Sequence, residues 1–305
     1  MNICVVGDAM SDIYVDVAVD RISPEGPIPV MRELRRTMIP GGAANCARNI
    51  ESLGGHVYLV ALGCNGQDPW PNGSWISESE RELTTKTRFV AGGQQIARLD
   101  VEDTRPLATS DEATLITEIA EALVADCDCL VISDYGKGVC NQVVCESAIR
   151  AARQLEIPII VDPKARSWHR YRGASLITPN EHEFATRVDD YEESFVLVTR
   201  GARGMTLFAP NRAIVQGDSR KLDFDAVPRE VASVIGAGDT VTAAMAVGIA
   251  AELTMVQAAR FANVAAAVAV SKAGTAIVTL DEVRKLAEAC GRDIEEELEM
   301  IRACG

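Results

Sequence analysis

Histidine is nearly absent from this chain: three stand in 305 residues, at 56, 169 and 182. The nine cysteines never form a C-x-x-C pair, so zinc-ligand spacing is missing and a reducing, intracellular setting is the expectation. No long basic run offsets a formal charge of −14, which argues against nucleic acid or an anionic membrane as partner. No apolar stretch has the length and flanks of a membrane span, and Met1 runs into Ile3 to Val6 without a basic leader; an untargeted cytoplasmic protein is expected. A G-x-x-x-x-G-K-[ST] loop is missing, as is G-x-G-x-x-G after the first apolar run. A P-loop NTPase and a dinucleotide-binding site of that kind are thereby excluded at the level of motifs.

What is present is core material, with 48% apolar residues, and a rhythm. Residues 2–7 read as a buried strand with Asp8 and Asp12 on the loop beyond it. Residues 13–38 alternate apolar and polar around a proline-rich turn, and Lys86 to Val101 alternate again around Gly92-Gly93. Together they predict a small antiparallel sheet standing off the body as a lid. From Asp111 onward helices and strands alternate: helices over 111–125 and 142–155, strands at 129–133, 158–161, 175–178 and 195–199, a hairpin of 205–209 with 213–215, and closing helices from Thr240, Met255 and Asp281. That order predicts a parallel, doubly covered sheet. One domain over residues 1–305 is expected.

The stretch Val234 to Ala251, V-I-G-A-G-D-T-V-T-A-A-M-A-V-G-I-A-A, organises the rest. Gly236, Ala237 and Gly238 permit close backbone approach and lead into an apolar helix, so unpaired amides and the positive helix end gather where a phosphate could sit. Asp239 beside them reads equally as a helix cap or as a proton acceptor. Gly41-Gly42 with Asn45 is either a tight turn and cap or a place where a polyhydroxylated ligand meets backbone and amide. Asp12, Asp134 to Gly138 and Asp162 to Lys164 gather at strand ends, where open α/β sheets bind ligands. Asn180 and Glu183 share one helical face, either as an exposed helix start or as holders of the water ligands of Mg²⁺. Thr199-Arg200-Gly201-Ala202-Arg203-Gly204 is a hairpin loop or a phosphate-tail cradle.

In that order these segments resemble the ribokinase-like (PfkB) sugar kinases. The likeness rests on Gly41-Gly42-x-x-Asn45, Asn180-x-x-Glu183 and Gly236-Ala237-Gly238-Asp239. Within the family it is nearest the branch that phosphorylates D-glycero-D-manno-heptose 7-phosphate at its 1-hydroxyl. The segments that carry this are Arg21 to Glu25 with Pro27 and Pro29, Gln94 to Asp100, Ser133 to Gly138, Asp162 to Lys164, Arg170 to Ala174 and Thr178 to Asn180. The resemblance implies a ribokinase-like α/β fold, a doubly wound, mainly parallel sheet with a small antiparallel lid. It implies ATP as co-substrate with Mg²⁺; separately, the alternating lid strands leave apolar edges that could pair with another subunit, so a homodimer is expected. Asp239 would be the base and the amides of Gly236 to Asp239 the anion hole. Asp12, Gly41, Gly42, Asn45 and Gln95 would hold the sugar, and Arg98 and Lys164 its phosphate. Thr199, Arg200, Gly201, Gly204 and Asn263 would line the nucleotide, with Asn180 and Glu183 organising the metal. The H-x-G-H motif of the nucleotidyltransferase domain often fused to such kinases does not occur, so a stand-alone kinase is expected.

The chain departs from the family in two ways. Ser233 and Ile235 stand where an Asp and a Thr usually help bind an activating monovalent cation, so potassium activation is expected to be weak or absent. The stretches from Gly63 to Lys86 and from Glu183 to Phe195 are shorter than usual. Two other readings therefore stay open: a PfkB kinase of another sugar or nucleoside, and a non-catalytic sugar- or nucleotide-binding regulator on the same fold.

Overall fold

The computed structural model describes residues 1–64, 76–79, 81–188, 193–210 and 220–305. From the N-terminus, β1 (Asn2–Gly7) runs directly into a long hairpin of β2 (Ala9–Ile22) and β3 (Pro29–Gly42), followed by α1 (Ala43–Ser52) and β4 (His56–Cys64). β5 (Ile76–Ser79) precedes a second hairpin, β6 (Thr84–Ala91) and β7 (Gln94–Val101). Then come α2 (Thr109–Val124), β8 (Cys129–Ser133), α3 (Gln142–Gln154), β9 (Ile159–Asp162), a 3-10 turn at His169–Tyr171, β10 (Leu176–Ile177), α4 (Glu181–Thr186) and β11 (Phe195–Thr199). β12 (Met205–Phe208), β13 (Lys221–Phe224), α5 (Ala237–Ala250), α6 (Met255–Val270), α7 (Leu280–Ala289) and α8 (Glu295–Cys304) complete the chain.

The large sheet has the order β13-β12-β11-β10-β9-β8-β1-β4-β5. It is parallel from β11 to β5 and antiparallel at β11-β12-β13. β1 shows why it is covered twice. Ile3 and Val5 enter one apolar cluster, with α1, α5 and α6, while Cys4 and Val6 enter the other, with α2 and α3. A strand apolar on both faces is stable only inside such a sandwich. α5 is buried nearly all round from Asp239 to Gly248, as its small residues require. A Cβ on Gly248 would lie 3.0 Å from that of Ala258, so α5 and α6 touch almost backbone to backbone.

The small sheet has the order β3-β2-β6-β7. Its outer pairs β2-β3 and β6-β7 are antiparallel, and the central pair β2-β6 is parallel. One face carries Ile13, Val15 and Val17 with Phe89 and Ala91 against them.

The structure differs from the sequence reading at Asp12 and at the C-terminus. Asp12 is not on a loop: β2 begins at Ala9, because its backbone pairs with both β3 and β6 from the start. Gly41 and Gly42 accordingly end a strand. The C-terminal helix α8 was not anticipated from its acidic sequence; Leu298 and Ile301 anchor it, and its buried Glu297 accepts from Arg260 at 2.9 Å. β13 at Lys221–Phe224 completes the edge, whereas the expected strand at 213–215 lies outside the described residues.

Candidate active site

Gly236 precedes α5 in the left-handed conformation, φ 76° and ψ 2°. A Cβ there would stand 2.8 Å from Nδ2 of Asn45, so a side chain is barred by backbone angle and by space. Asp239 lies in the first turn, where amides have no intrahelical acceptor, and Gly238 is exposed. Gly236 holds the cap position, and the Asp239 carboxylate follows three residues on. It turns inward, 3% exposed, where Oδ2 accepts from Asn45 Nδ2 at 2.6 Å and Oδ1 from the Tyr135 hydroxyl. Of the two readings of this residue, the cap is thus not the one the fold adopts. Burial pushes the Asp239 carboxyl up to about 6, against the two donors and Lys86, which pull it down; Asp12 nearby adds to the rise. Such a group is largely a carboxylate at neutral pH and can receive a proton beside a helix end suited to anions.

Asn45 is held in turn by Asn49, fully buried one turn along α1. Its Nδ2 donates to the Asn45 carbonyl at 3.0 Å, while its Oδ1 accepts from Thr240 and from the Val278 amide. This ties α1, α5 and the segment before α7 into one block around Asp239.

Asp12 reaches the site from β2. Its Oδ1 accepts from Arg88 at 2.5 Å and its Oδ2 from Thr275 at 3.0 Å. A Cβ on Gly41 would stand 2.6 Å from that Oδ2, and one on Gly42 2.4 Å from the Asp8 carbonyl. The two glycines admit the carboxylate and the turn into α1. The Arg88 guanidinium also lies over the Tyr14 ring, 5.2 Å from its centroid. In the β2-β6 register Asp12 faces Lys86 and Tyr14 faces Arg88. Lys86 Nζ sits 5.6 Å from the centroid of the Tyr135 ring, and burial lowers its pKa against the pull of Asp12.

The loop that presents Tyr135 is clamped by Asp8. That carboxylate accepts from the amides of Tyr135, Lys137 and Val139 at 2.9, 3.0 and 2.9 Å. Asp134 accepts from the Gly136 amide at 2.7 Å and from the Tyr171 hydroxyl. Asp8, Asp134 and Cys140 lie close enough to share a metal ion. These bonds already engage both oxygens of each carboxylate, and the group is better explained as a loop anchor.

A second group forms at the ends of β9 and β10. Asn180 and Glu183 make a reciprocal capping box at the start of α4, with the Glu183 amide donating to Asn180 Oδ1 and the Asn180 amide to Glu183 Oε2. Glu183 Oε1 pairs with Lys164 at 3.2 Å. Lys164 therefore sits by this cap. Asp162 is pushed well above the ordinary carboxylate range by burial, then by Asp239 and Glu183, with Lys164 opposing. Its carboxylate and that of Glu183 are hard oxygen donors with Lys164 as the cation beside them, and Mg²⁺ with its waters would supply further positive charge there.

The predicted nucleotide residues gather in a third neighbourhood. Thr199 bridges to Asn180, Arg200 pairs with Asp223 at 3.1 Å, and Asn263 donates to the Asp225 carbonyl at 2.8 Å. Gly201 and Gly204 have positive φ, and a Cβ on Gly204 would stand 2.0 Å from the Phe224 carbonyl. Thr178 at the end of β10 meets Thr242 of α5 at 3.0 Å, one turn on from Asp239. Gln95 and Arg98 stand apart on β7; Arg98 is opposite Arg88 in register and pairs with Asp100 at 2.9 Å. Sequence gives no role to Arg88, Lys86, Thr275 or Asn49, and singles out Tyr135 only as part of its strand-end loop. The parallel pairing of β2 with β6, across a gap of some 70 residues, was the missing signal for the first two.

Comparison with known proteins gives the family and the fold. The model of the "pfkB family carbohydrate kinase" matches residues 1–283. The "Bifunctional protein HldE" of Azorhizobium caulinodans is 40% identical over 96% of this chain, and that of Gluconacetobacter diazotrophicus 38% over 97%. The chain spans 65% of the length of each. Among solved structures, phosphofructokinase-2 from Escherichia coli in complex with potassium has a TM-score of 0.72 at 19% identity, covering 96% of this chain and 99% of its own. Ribokinase of Arabidopsis thaliana with ribose and ATP has 0.63 at 18%, covering 93% and 97%. The fold is ribokinase-like.

Proposed function

We infer the function from kinship first: the chain belongs to the pfkB family of carbohydrate kinases, enzymes that place a phosphoryl group on a sugar hydroxyl. We propose that residues 1–305 act as one kinase domain that moves the γ-phosphoryl of ATP to the 1-hydroxyl of D-glycero-D-manno-heptose 7-phosphate. One observation carries this reading: a buried, raised carboxylate, Asp239, lies in the open first turn of a helix and is aimed by donors from two other elements. Phosphoryl transfer needs little beyond positioning and charge stabilisation. Asp239 takes the proton of the attacking hydroxyl, and the amides from Gly236 to Asp239 receive the charge that develops on the phosphoryl oxygens.

Asp12, Gly41, Gly42 and Asn45 hold sugar hydroxyls, with Gln95 and Arg98 contributed by the lid. Arg88 and Arg98, opposite one another on β6 and β7, are a guanidinium pair suited to the phosphate already on the sugar. Lys164 joins that role only by leaving Glu183. Asn180 and Glu183 organise Mg²⁺ through water, which supplies charge neutralisation at the phosphates, while Thr199, Arg200, Gly201, Gly204 and Asn263 line ATP. The small sheet is the lid, and its exposed Ile22, Met31, Leu34, Met38 and Leu99 are the apolar surface through which two copies would pair. Among the described residues no helix is long and apolar enough to cross a membrane, in keeping with the proposed cytoplasmic setting.

The test is ADP release with Mg-ATP against sugar 7-, 6- and 5-phosphates and the matching free sugars. Turnover confined to phosphorylated sugars is expected, and highest with the heptose 7-phosphate. Turnover of free sugars alone would transfer the chain to another branch of the family. Sugar or nucleotide binding without turnover would make it a regulator.

Potassium is a second check. Ser233 Oγ is engaged by the Ile235 amide at 3.2 Å, and the Ile235 side chain has no oxygen to offer. Exchanging potassium for a large organic cation at constant ionic strength is expected to leave kcat nearly unchanged; a many-fold loss would overturn this.

A further inference from the structure

We propose that Tyr135 is a positioning residue for Asp239, its hydroxyl fixing the orientation of the carboxylate that receives the sugar proton. This rests on Asp239 being the base. A carboxylate with a single donor is free to swing about its Cβ–Cγ bond. Here Asn45 of α1 holds Oδ2 and Tyr135, from the loop after β8, holds Oδ1. Two donors from separate elements leave one productive orientation, and each oxygen keeps a second lone pair for the incoming hydroxyl. In the transfer the sugar oxygen bonds to the γ-phosphorus, the bridging P–O bond breaks with its electron pair leaving on ADP, and the hydroxyl proton passes to Asp239. Tyr135 gives up no proton in that step. Burial pushes its phenol well above the ordinary range, which keeps it a donor at any working pH.

The backbone that carries the ring is fixed at two amides, and the ring face is covered. Asp8 fixes its amide, Asp134 fixes the next amide, and Lys86 of the lid lies over its face. A hydroxyl carried on a fixed backbone under Lys86 suits orientation of its neighbour. The ionisable groups around Asp239 are Asp12 on β2, Lys86 on β6, Asp162 on β9, Cys46 on α1 and Tyr135 itself. Both carboxylates oppose ionisation of Asp239. Tyr135 thus shares with Asn45 and Lys86 the work of keeping it charged.

The experiment is Tyr135→Phe, which keeps the ring and its packing. With Asp239→Asn inactive in parallel, kcat of Tyr135→Phe is expected to fall about 10- to 100-fold, the worth of one hydrogen bond to a charged group. KM for ATP and sugar should stay close to the parent, and the acid limb of kcat should move to higher pH. Fluorotyrosine at 135, a stronger donor, should keep the rate and move the limb to lower pH, which no loss of folding can mimic. Parental kcat with an unmoved limb in Tyr135→Phe would overturn the proposal. Turnover retained by Asp239→Asn would overturn the base reading beneath it, and the two failures are therefore distinct.

Discussion

Asp239→Asn is expected to lose turnover by about 10²- to 10⁴-fold, the range of one general base, and yet to melt at a higher temperature than the parent at pH 8. Asparagine fills the same space beside Asn45 and Tyr135 and accepts no proton, so the chemical step suffers directly. The melting change follows from linkage. The folded carboxyl sits at about 6 against an ordinary 3.8, so the folded state binds its proton more tightly than the unfolded chain. Folding is then penalised as pH rises from near 4 through 6, and above that by the whole difference, about 3 kcal/mol. Removing the charge recovers part of this at pH 8 and nothing below pH 4. Paired melts at pH 8 and pH 4 would show the gain only at the higher pH. A lower melting temperature at pH 8 would mean that Asn45 and Tyr135 stabilise the charge more than burial opposes it. In the parent, kcat/KM should climb as pH rises through about 6 and level off above.

Arg88→Met has the second largest expected effect, this time on the lid. The Arg88–Asp12 pair is almost wholly buried, with side chains 8% and 7% exposed. Taking the cation away leaves a buried carboxylate with Thr275 alone, at a cost of about 3–5 kcal/mol. The small sheet has little apolar material of its own, chiefly Ile13, Val15 and Val17 with Phe89 and Ala91. Faster amide exchange in β2 and β6 should therefore appear before any global loss, and sugar binding should weaken. Replacing both partners, Asp12→Leu with Arg88→Met, should return much of the stability but none of the sugar binding. A double variant no more stable than Arg88→Met would show that the two residues are not coupled.

The parts of the fold legible from sequence are those where one physical signal dominates. β1, β8 and β11 stand at the expected residues because a short all-apolar run bounded by turn residues has few alternatives to a buried parallel strand. The G-A-G-D turn was legible because Gly236 and the small-residue helix point the same way. Asp239 was not fully so: an Asp before a helix reads as a cap from sequence, and only the structure shows its carboxylate turned inward onto Asn45 and Tyr135. Asn180-x-x-Glu183 shows the limit from the other side. The bland reading, a helix start, is present in full as a capping box, and the proposed metal role would have to be reached with those bonds in place or exchanged. Arg88 and Lys86 were invisible as site residues because alternation reveals which residues share a face but not which strand lies alongside. α8 was missed because its apolar residues are sparse and its acidic face dominates the pattern.

Asp8 carries one more consequence, and it concerns synthesis. The strand that precedes it is made well before one of its neighbours in the sheet, β8, which ends at Ser133, and the three amides that occupy its carboxylate belong to residues 135–139. Until the ribosome has delivered that loop, β1 is an edge with a buried-type carboxylate and no partners. Long-range pairing of this kind folds slowly and exposes the chain while it waits. On a translating ribosome, protease protection of the first strand should therefore appear in one step, as the chain passes residue 139 clear of the exit tunnel.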